Sequence, residues 1–105
     1  MSDNTFIVGA YEHPTRLATN KSVTQLHAEV AIGALDDAGL SKDDIDGFFC
    51  AGDAPGIGPL SILEYLGLDV SYADSTDIGG SSPIAQVGHA MRAIRDGKCN
   101  VALIT

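Results

Sequence analysis

Phe48-Phe49-Cys50-Ala51 is an unbroken apolar run of strand length, and a strand that is apolar at every position has to be covered on both faces. Val101-Ala102-Leu103-Ile104-Thr105 is a second run of the same kind. Segments of helical period lie around them. Ser22-Val23-Thr24-Gln25 has the form of a capping box, after which Val23, Leu26, Val30, Ala34 and Ala38 recur at three- and four-residue steps until Gly39. One amphipathic helix is therefore expected over Val23 to Ala38. Buried strands separated by helices call for right-handed crossovers, so the pattern specifies an α/β fold: a mostly parallel sheet with helices on both faces.

The remaining elements follow from local signals. Phe6-Ile7-Val8-Gly9-Ala10 is a short β-prone run that reads as the first strand, and Tyr11 to Asn20, with His13-Pro14, reads as loop. Ser41-Lys42-Asp43-Asp44 opens a single turn. Gly52-Asp53-Ala54-Pro55-Gly56-Ile57-Gly58 is a glycine-rich loop, but it has neither the Gly-Lys-Ser/Thr ending of a phosphate-binding loop nor GxGxxG, which speaks against nucleotide binding. Pro59 begins a short helix ending near Leu66-Gly67. Val70 to Ile78, rich in Ser, Thr and Asp, reads as an extended segment at a sheet edge or an interface. In the helix that follows, Ile84, Val87, Met91 and Ile94 form an apolar stripe expected to be core, with Gly97 as its stop. Ala85, Gly88, Ala90 and Ala93 thin that helix, which is expected to be more enclosed than the first.

With 105 residues, 45% of them hydrophobic and 19% charged, a single globular domain is expected. The chain stops inside an apolar strand rather than a polar linker, which suggests a piece of a longer protein. Six basic against fourteen acidic residues, a formal charge of −8, would repel nucleic acid and anionic lipid surfaces. The amino terminus has no basic region ahead of an apolar stretch and nothing is long enough to span a bilayer, so a cytoplasmic location is expected. Cys50 and Cys99 form no CxxC pair. Both read as reduced thiols, Cys50 as a small buried hydrophobe, with no metal site implied.

Ile78-Gly79-Gly80-Ser81-Ser82-Pro83 sets a tight glycine turn and two hydroxyls at the mouth of a helix. The unpaired amides and the positive end of the helix dipole there suit an anion or a developing oxyanion. The plainer reading is that Ser82 is the N-cap, Pro83 the first helical residue, and the glycines make the turn. His89 stands seven residues after Ser82, about 10 Å along a helix. It is too far for direct proton transfer and reads as a packed or hydrogen-bonded histidine.

Phe6 to Ala10, Ala34-Leu35-Asp36-Asp37-Ala38-Gly39-Leu40, Asp43-Asp44-Ile45-Asp46-Gly47, the glycine-serine turn and Ala93-Ile94-Arg95-Asp96-Gly97, taken in that order, together resemble the N-terminal portion of a thiolase-superfamily protein. The resemblance implies a pair of similar α/β halves exchanging acyl groups on coenzyme A in lipid metabolism, as an acetyl-CoA acetyltransferase does. It also implies a homodimer, with the Val70 to Ile78 segment pairing across the dimer axis, and a coenzyme A thioester as substrate without a further cofactor.

The pattern departs from the family at one place. Thiolases carry a nucleophilic cysteine in a Cys-x-Ser-Gly turn at the start of the buried helix, where amides and dipole lower a thiol pKa. Counted back from Gly97, that place falls on Gly80. Three readings follow. Ser81 or Ser82 could take the acyl group, given a general base that this chain does not supply. Alternatively, Gly79 and Gly80 could hold an oxyanion while a 3-hydroxyacyl-CoA undergoes retro-aldol cleavage, with acid and base from elsewhere. In the third the chain is a non-catalytic thioester-binding subunit. In each, these 105 residues alone are expected to be inactive.

Overall fold

The computed structural model describes residues 4–51 and 58–105. The glycine-rich stretch from Gly52 to Ile57 lies outside the described residues. The element order is helix α1 (Val23–Ala38), a 3₁₀ turn (Lys42–Asp44), strand β1 (Gly47–Cys50), helix α2 (Pro59–Leu66), strand β2 (Tyr72–Ser75), helix α3 (Ser82–Arg95) and strand β3 (Ala102–Ile104). The three strands form one parallel sheet in the order β2-β1-β3, with Phe48 opposite Ala73 on one side and Leu103 on the other.

The first helix has the expected bounds, for the expected reasons. Ser22 Oγ accepts the amide of Gln25 at 3.1 Å, while Gly39, at φ 71, ends the helix with the Leu40 amide returning to the Leu35 carbonyl at 3.0 Å. That is the Schellman pattern, which a residue with a Cβ adopts only under strain. Only half of the capping box closes, because the Gln25 side chain donates instead to Glu29 Oε2 at 2.9 Å. Glu29 also receives His13 Nε2 at 2.7 Å and Lys21 Nζ at 3.0 Å, so one carboxylate ties the loop between Tyr11 and Lys21 onto α1.

Alternation along β1 divides the core. Phe48 and Cys50 face α1 and α2, in a cluster with Ala31, Ile45, Ile62 and Leu103. Phe49 faces α3 and packs with Ala90, Ala93 and Cys99. Both phenylalanines are fully buried, each stabilising by about 1.5–3 kcal/mol. Asp46 sets the strands around them: its carboxylate accepts the amides of Asn100 and Val101, each at 2.8 Å, and its carbonyl accepts Ser71 N at 2.9 Å. The residue before β1 thereby holds the start of both neighbouring strands. As expected, β2 lies at a sheet edge, its residues 73–75 exposed, and Cys50 and Cys99 are buried thiols.

Two expectations fail. Phe6 to Ala10 is not a strand. The run joins neither outer edge of the sheet, that of β2 or that of β3. It lies against α1 instead: an added Cβ on Gly9 would sit 2.6 Å from the Ala34 carbonyl oxygen, and the Ala10 amide donates to Asp37 Oδ2 at 2.9 Å.

The stripe of Ile84, Val87, Met91 and Ile94 is not the buried face of α3. Ile84 is 75% exposed, and the buried positions are Ser82, Gln86, Ala90 and Ala93. Small side chains let the helix axis come down onto bulky Phe49, which turns the large ones toward an open groove of about 920 Å³ between residues 4–11, α1, α3 and β3. Ile94 alone of the stripe packs on the α3-side core. The α3 helix still buries four residues where α1 buries Ala31, so it is the more enclosed.

Two outcomes follow. A Cβ at Gly47 would lie 2.7 Å from Cys99 Sγ, so Gly47→Ala should lower stability by about 1–3 kcal/mol through overpacking, read by denaturant unfolding. Glu29 is held down to about 2 from 4.5, chiefly by its bonds from His13, Lys21 and Gln25. A depressed carboxylate contributes stability above its unfolded pKa that fades as pH falls from about 4.5 toward 2. Thermal melts of Glu29→Gln should lack that part of the acid slope, and identical slopes would count against it.

Candidate functional site

The turn between β2 and α3 is built by short-range bonds. Asp77 Oδ1 accepts the Gly79 amide at 3.3 Å. Gly79 takes φ 84, a value that favours glycine, and its carbonyl accepts the Ser82 amide at 3.0 Å. The chain then enters α3, with Pro83 in the first turn.

The capping expected of Ser82 is not what forms. The helix begins at Ser82, and the N-cap residue is Ser81, which already has helical dihedrals and makes no side-chain cap bond. Ser82 Oγ reaches backwards: it donates to the Gly79 carbonyl at 2.7 Å and accepts the Ile78 amide at 2.8 Å. At 1% exposure it is a clasp closing the turn, and its proton is already engaged.

Gly79, Gly80 and Ser81 are exposed. An isolated parallel bridge joins Ile78 to Gly80; beyond it, among the described residues, the amides of Gly80 and Ser81 meet no acceptor within hydrogen-bond distance, and both stand at the positive end of a fourteen-residue helix. This is where the structure brings together Gly79, Gly80, Ser81 and Ser82: Gly79, whose amide is held by Asp77, the exposed amides of Gly80 and Ser81, and one buried residue closing the turn. The walls of the apolar groove reach Pro83 and Ile84 but stop short of the turn.

No histidine stands ready there. His13 Nδ1 accepts the Thr15 amide at 3.1 Å, which leaves Nε2 as the donor to Glu29 and commits both ring nitrogens. The His27 ring is bonded through Nδ1 to Thr105 Oγ1 at 2.6 Å, and burial lowers its pKa. His89, as expected a hydrogen-bonded residue, shares its Nδ1 with Thr76 Oγ1 at 3.2 Å. Cys50 lies in β1 and Cys99 after α3, so neither sits at the turn. Burial, and then the charge of Asp46, push the Cys99 thiol up. Among the described residues no three His, Cys, Asp or Glu side chains are placed to hold a metal ion, and no helix is long and apolar enough to cross a membrane.

Sequence reading missed Gln86 and Thr76. Gln86 is completely buried and donates through Nε2 to the Thr76 carbonyl at 3.2 Å. The available signal was the spacing of Ser82, Gln86 and His89, polar residues at steps of four and three along α3, which places them on one face.

No protein-family model and no curated protein matches the chain. Solved structures do. A monomeric SCP2-thiolase like protein type 1 from Mycobacterium smegmatis superposes with TM-score 0.74 at 28% identity, over 93% of this chain. The Ltp2-ChsH2(DUF35) aldolase superposes with TM-score 0.71 at 24% identity over 82%. The 3-oxoacyl-[acyl-carrier-protein] synthase III of Aquifex aeolicus gives 0.68 at 24% over 85%. The chain spans 22%, 22% and 30% of those three structures respectively. In the order of its elements and its parallel sheet, this chain has the thiolase-like fold of these structures.

Proposed function

We propose that the turn from Gly79 to Ser82 binds the carbonyl oxygen of an acyl-coenzyme A thioester without forming a covalent bond to it, in the service of carbon–carbon cleavage. The observation that carries this reading is the pair of open amides on Gly80 and Ser81 at the head of α3, with no thiol beside them and the Ser82 hydroxyl proton already donated. Such a site polarises a thioester carbonyl and holds the negative charge that grows on its oxygen. In a retro-aldol step on a 3-hydroxyacyl-CoA, the 3-hydroxyl loses its proton and the C2–C3 bond breaks. The electron pair then spreads over C2 and the thioester oxygen, and C2 is reprotonated. The products are a shorter acyl-CoA and an aldehyde or ketone. That one structural neighbour is named an aldolase supports this reading. The acid and base are not supplied by the histidines, since all three are engaged elsewhere.

Acyl transfer of the acetyl-CoA acetyltransferase type is the competing reading, and the exposed hydroxyl of Ser81 is what favours it. Two substitutions separate them. Ser81→Ala removes the hydroxyl and keeps the amide, while Ser81→Pro removes both near a φ of −87 that proline nearly matches. Amide binding predicts acetyl-CoA affinity unchanged in Ser81→Ala and weakened about tenfold in Ser81→Pro, with no mass adduct and no turnover by the chain alone. An acyl-serine in the intact mass, lost in Ser81→Ala, would overturn it.

We further propose that two copies associate through the segment from Val70 to Ile78, whose β2 is an exposed sheet edge with no second strand beside it among the described residues. Sedimentation velocity across a hundredfold range about the micromolar scale should show a concentration-dependent dimer. A monomer throughout, matched by unchanged sedimentation of Asp74→Pro, would remove the pairing.

A further inference from the structure

Three side chains on one face of α3 reach back to the segment that leads into it. Ser82 Oγ bridges the Ile78 amide and the Gly79 carbonyl at 2.8 and 2.7 Å. Gln86 Nε2 donates to the Thr76 carbonyl at 3.2 Å, and His89 Nδ1 shares a hydrogen bond with Thr76 Oγ1 at the same distance. Thr76, Ile78 and Gly79 are therefore each fastened to the helix.

Gln86 differs from the other two. It is 0% exposed, and its Oε1 is buried with no donor to meet it among the described residues. The opposite amide orientation would set Oε1 against the Thr76 carbonyl, so the network itself assigns Nε2 to that bond. A buried acceptor without a partner is unfavourable, which offsets much of what the Thr76 bond adds to stability. An apolar side chain of similar size would fill the space without that penalty. What such a side chain could not do is hold the Thr76 carbonyl. Thr76 lies three residues before Gly79, where the chain leaves β2 and begins to turn.

We propose that Gln86 is the positioning residue of the thioester-binding turn. By fixing Thr76 against the second turn of α3, it keeps the amides of Gly80 and Ser81 aimed at one point before any ligand arrives. Its effect is on the order of the turn rather than on the stability of the chain. The assignment of a ligand rests on the reading under Proposed function; the ordering of the turn does not.

The test is Gln86→Met in the same chain, with Thr76→Val as its companion, which removes only the bond to His89. Backbone ¹⁵N relaxation over residues 76–82, the melting temperature and acetyl-CoA affinity are measured for each. Gln86→Met should keep the melting temperature of the parent, lose order in residues 76–81, and bind acetyl-CoA about tenfold more weakly. Thr76→Val should keep an ordered turn and parental affinity. Order over residues 76–81 unchanged in Gln86→Met would overturn the proposal, and so would a melting temperature and affinity that fall together, since that is plain loss of packing. In the unmutated chain the side-chain amide protons of Gln86 should exchange slowly with solvent. Exchange at the rate of a free glutamine would overturn the proposal even if Gln86→Met did not fold. If the unmutated chain binds no acetyl-CoA, the thioester reading falls, and the relaxation data alone decide whether Gln86 orders the turn.

Discussion

Everything in this chain is arranged around a four-residue strand that is buried on both faces. Phe48 and Phe49 point in opposite directions and neither is exposed, so two separate apolar layers must exist and must lie on opposite sides of one sheet. The α1–α2 pair supplies one and α3 supplies the other. Parallel neighbours on both sides follow, because a strand covered by helices is reached by crossovers rather than hairpins. Asp46 makes the arrangement exact in register by holding the backbone at the start of β2 and β3 at once.

The same requirement decides how α3 is used. A helix lying over Phe49 with large aliphatic residues beneath it would sit too high to close that layer. The face that turns inward is instead Ser82, Gln86, Ala90 and Ala93. Two of these are small, and the other two are polar and hydrogen-bonded to the turn that precedes the helix. Packing of the helix and bonding of the turn thus fall to a single face. Ile84, Val87 and Met91 are left toward the groove, where they help line a wall shared with α1 and β3.

At the head of α3 the geometry divides the labour between backbone and side chain. The hydroxyl of Ser82 is consumed in closing the turn, and the amides of Gly80 and Ser81 are what remains open. A helix terminus of this kind attracts negative charge without needing a cationic residue, which suits a chain whose formal charge is −8. Structural likeness to an SCP2-thiolase like protein and to an aldolase sets this arrangement within one fold family whose members' names span different chemistries, as expected when function resides in a site and not in the fold.

Elements whose signals are local were legible in the sequence. The bounds of α1 follow from Ser22 and Gly39, those of α2 from Pro59 and Gly67, and the apolar run at Phe48 announced a doubly covered strand, because caps, φ-permissive glycines and periodicity act within a few residues. The glycine-serine turn was legible as a place for open amides on the same grounds. What depends on which neighbour is present was not legible. Phe6 to Ala10 has the composition of a strand but lies against α1, the apolar stripe of α3 lost the inward position to small residues, and Ser82 turned its hydroxyl back to Gly79 instead of capping forward. The spacing of Gln86 marks a polar face of α3, but only folding brought the Thr76 carbonyl beside it. Sequence determined what each segment could become. Tertiary structure decided which faces met, because burial and hydrogen-bond satisfaction depend on partners that only the closed fold brings together.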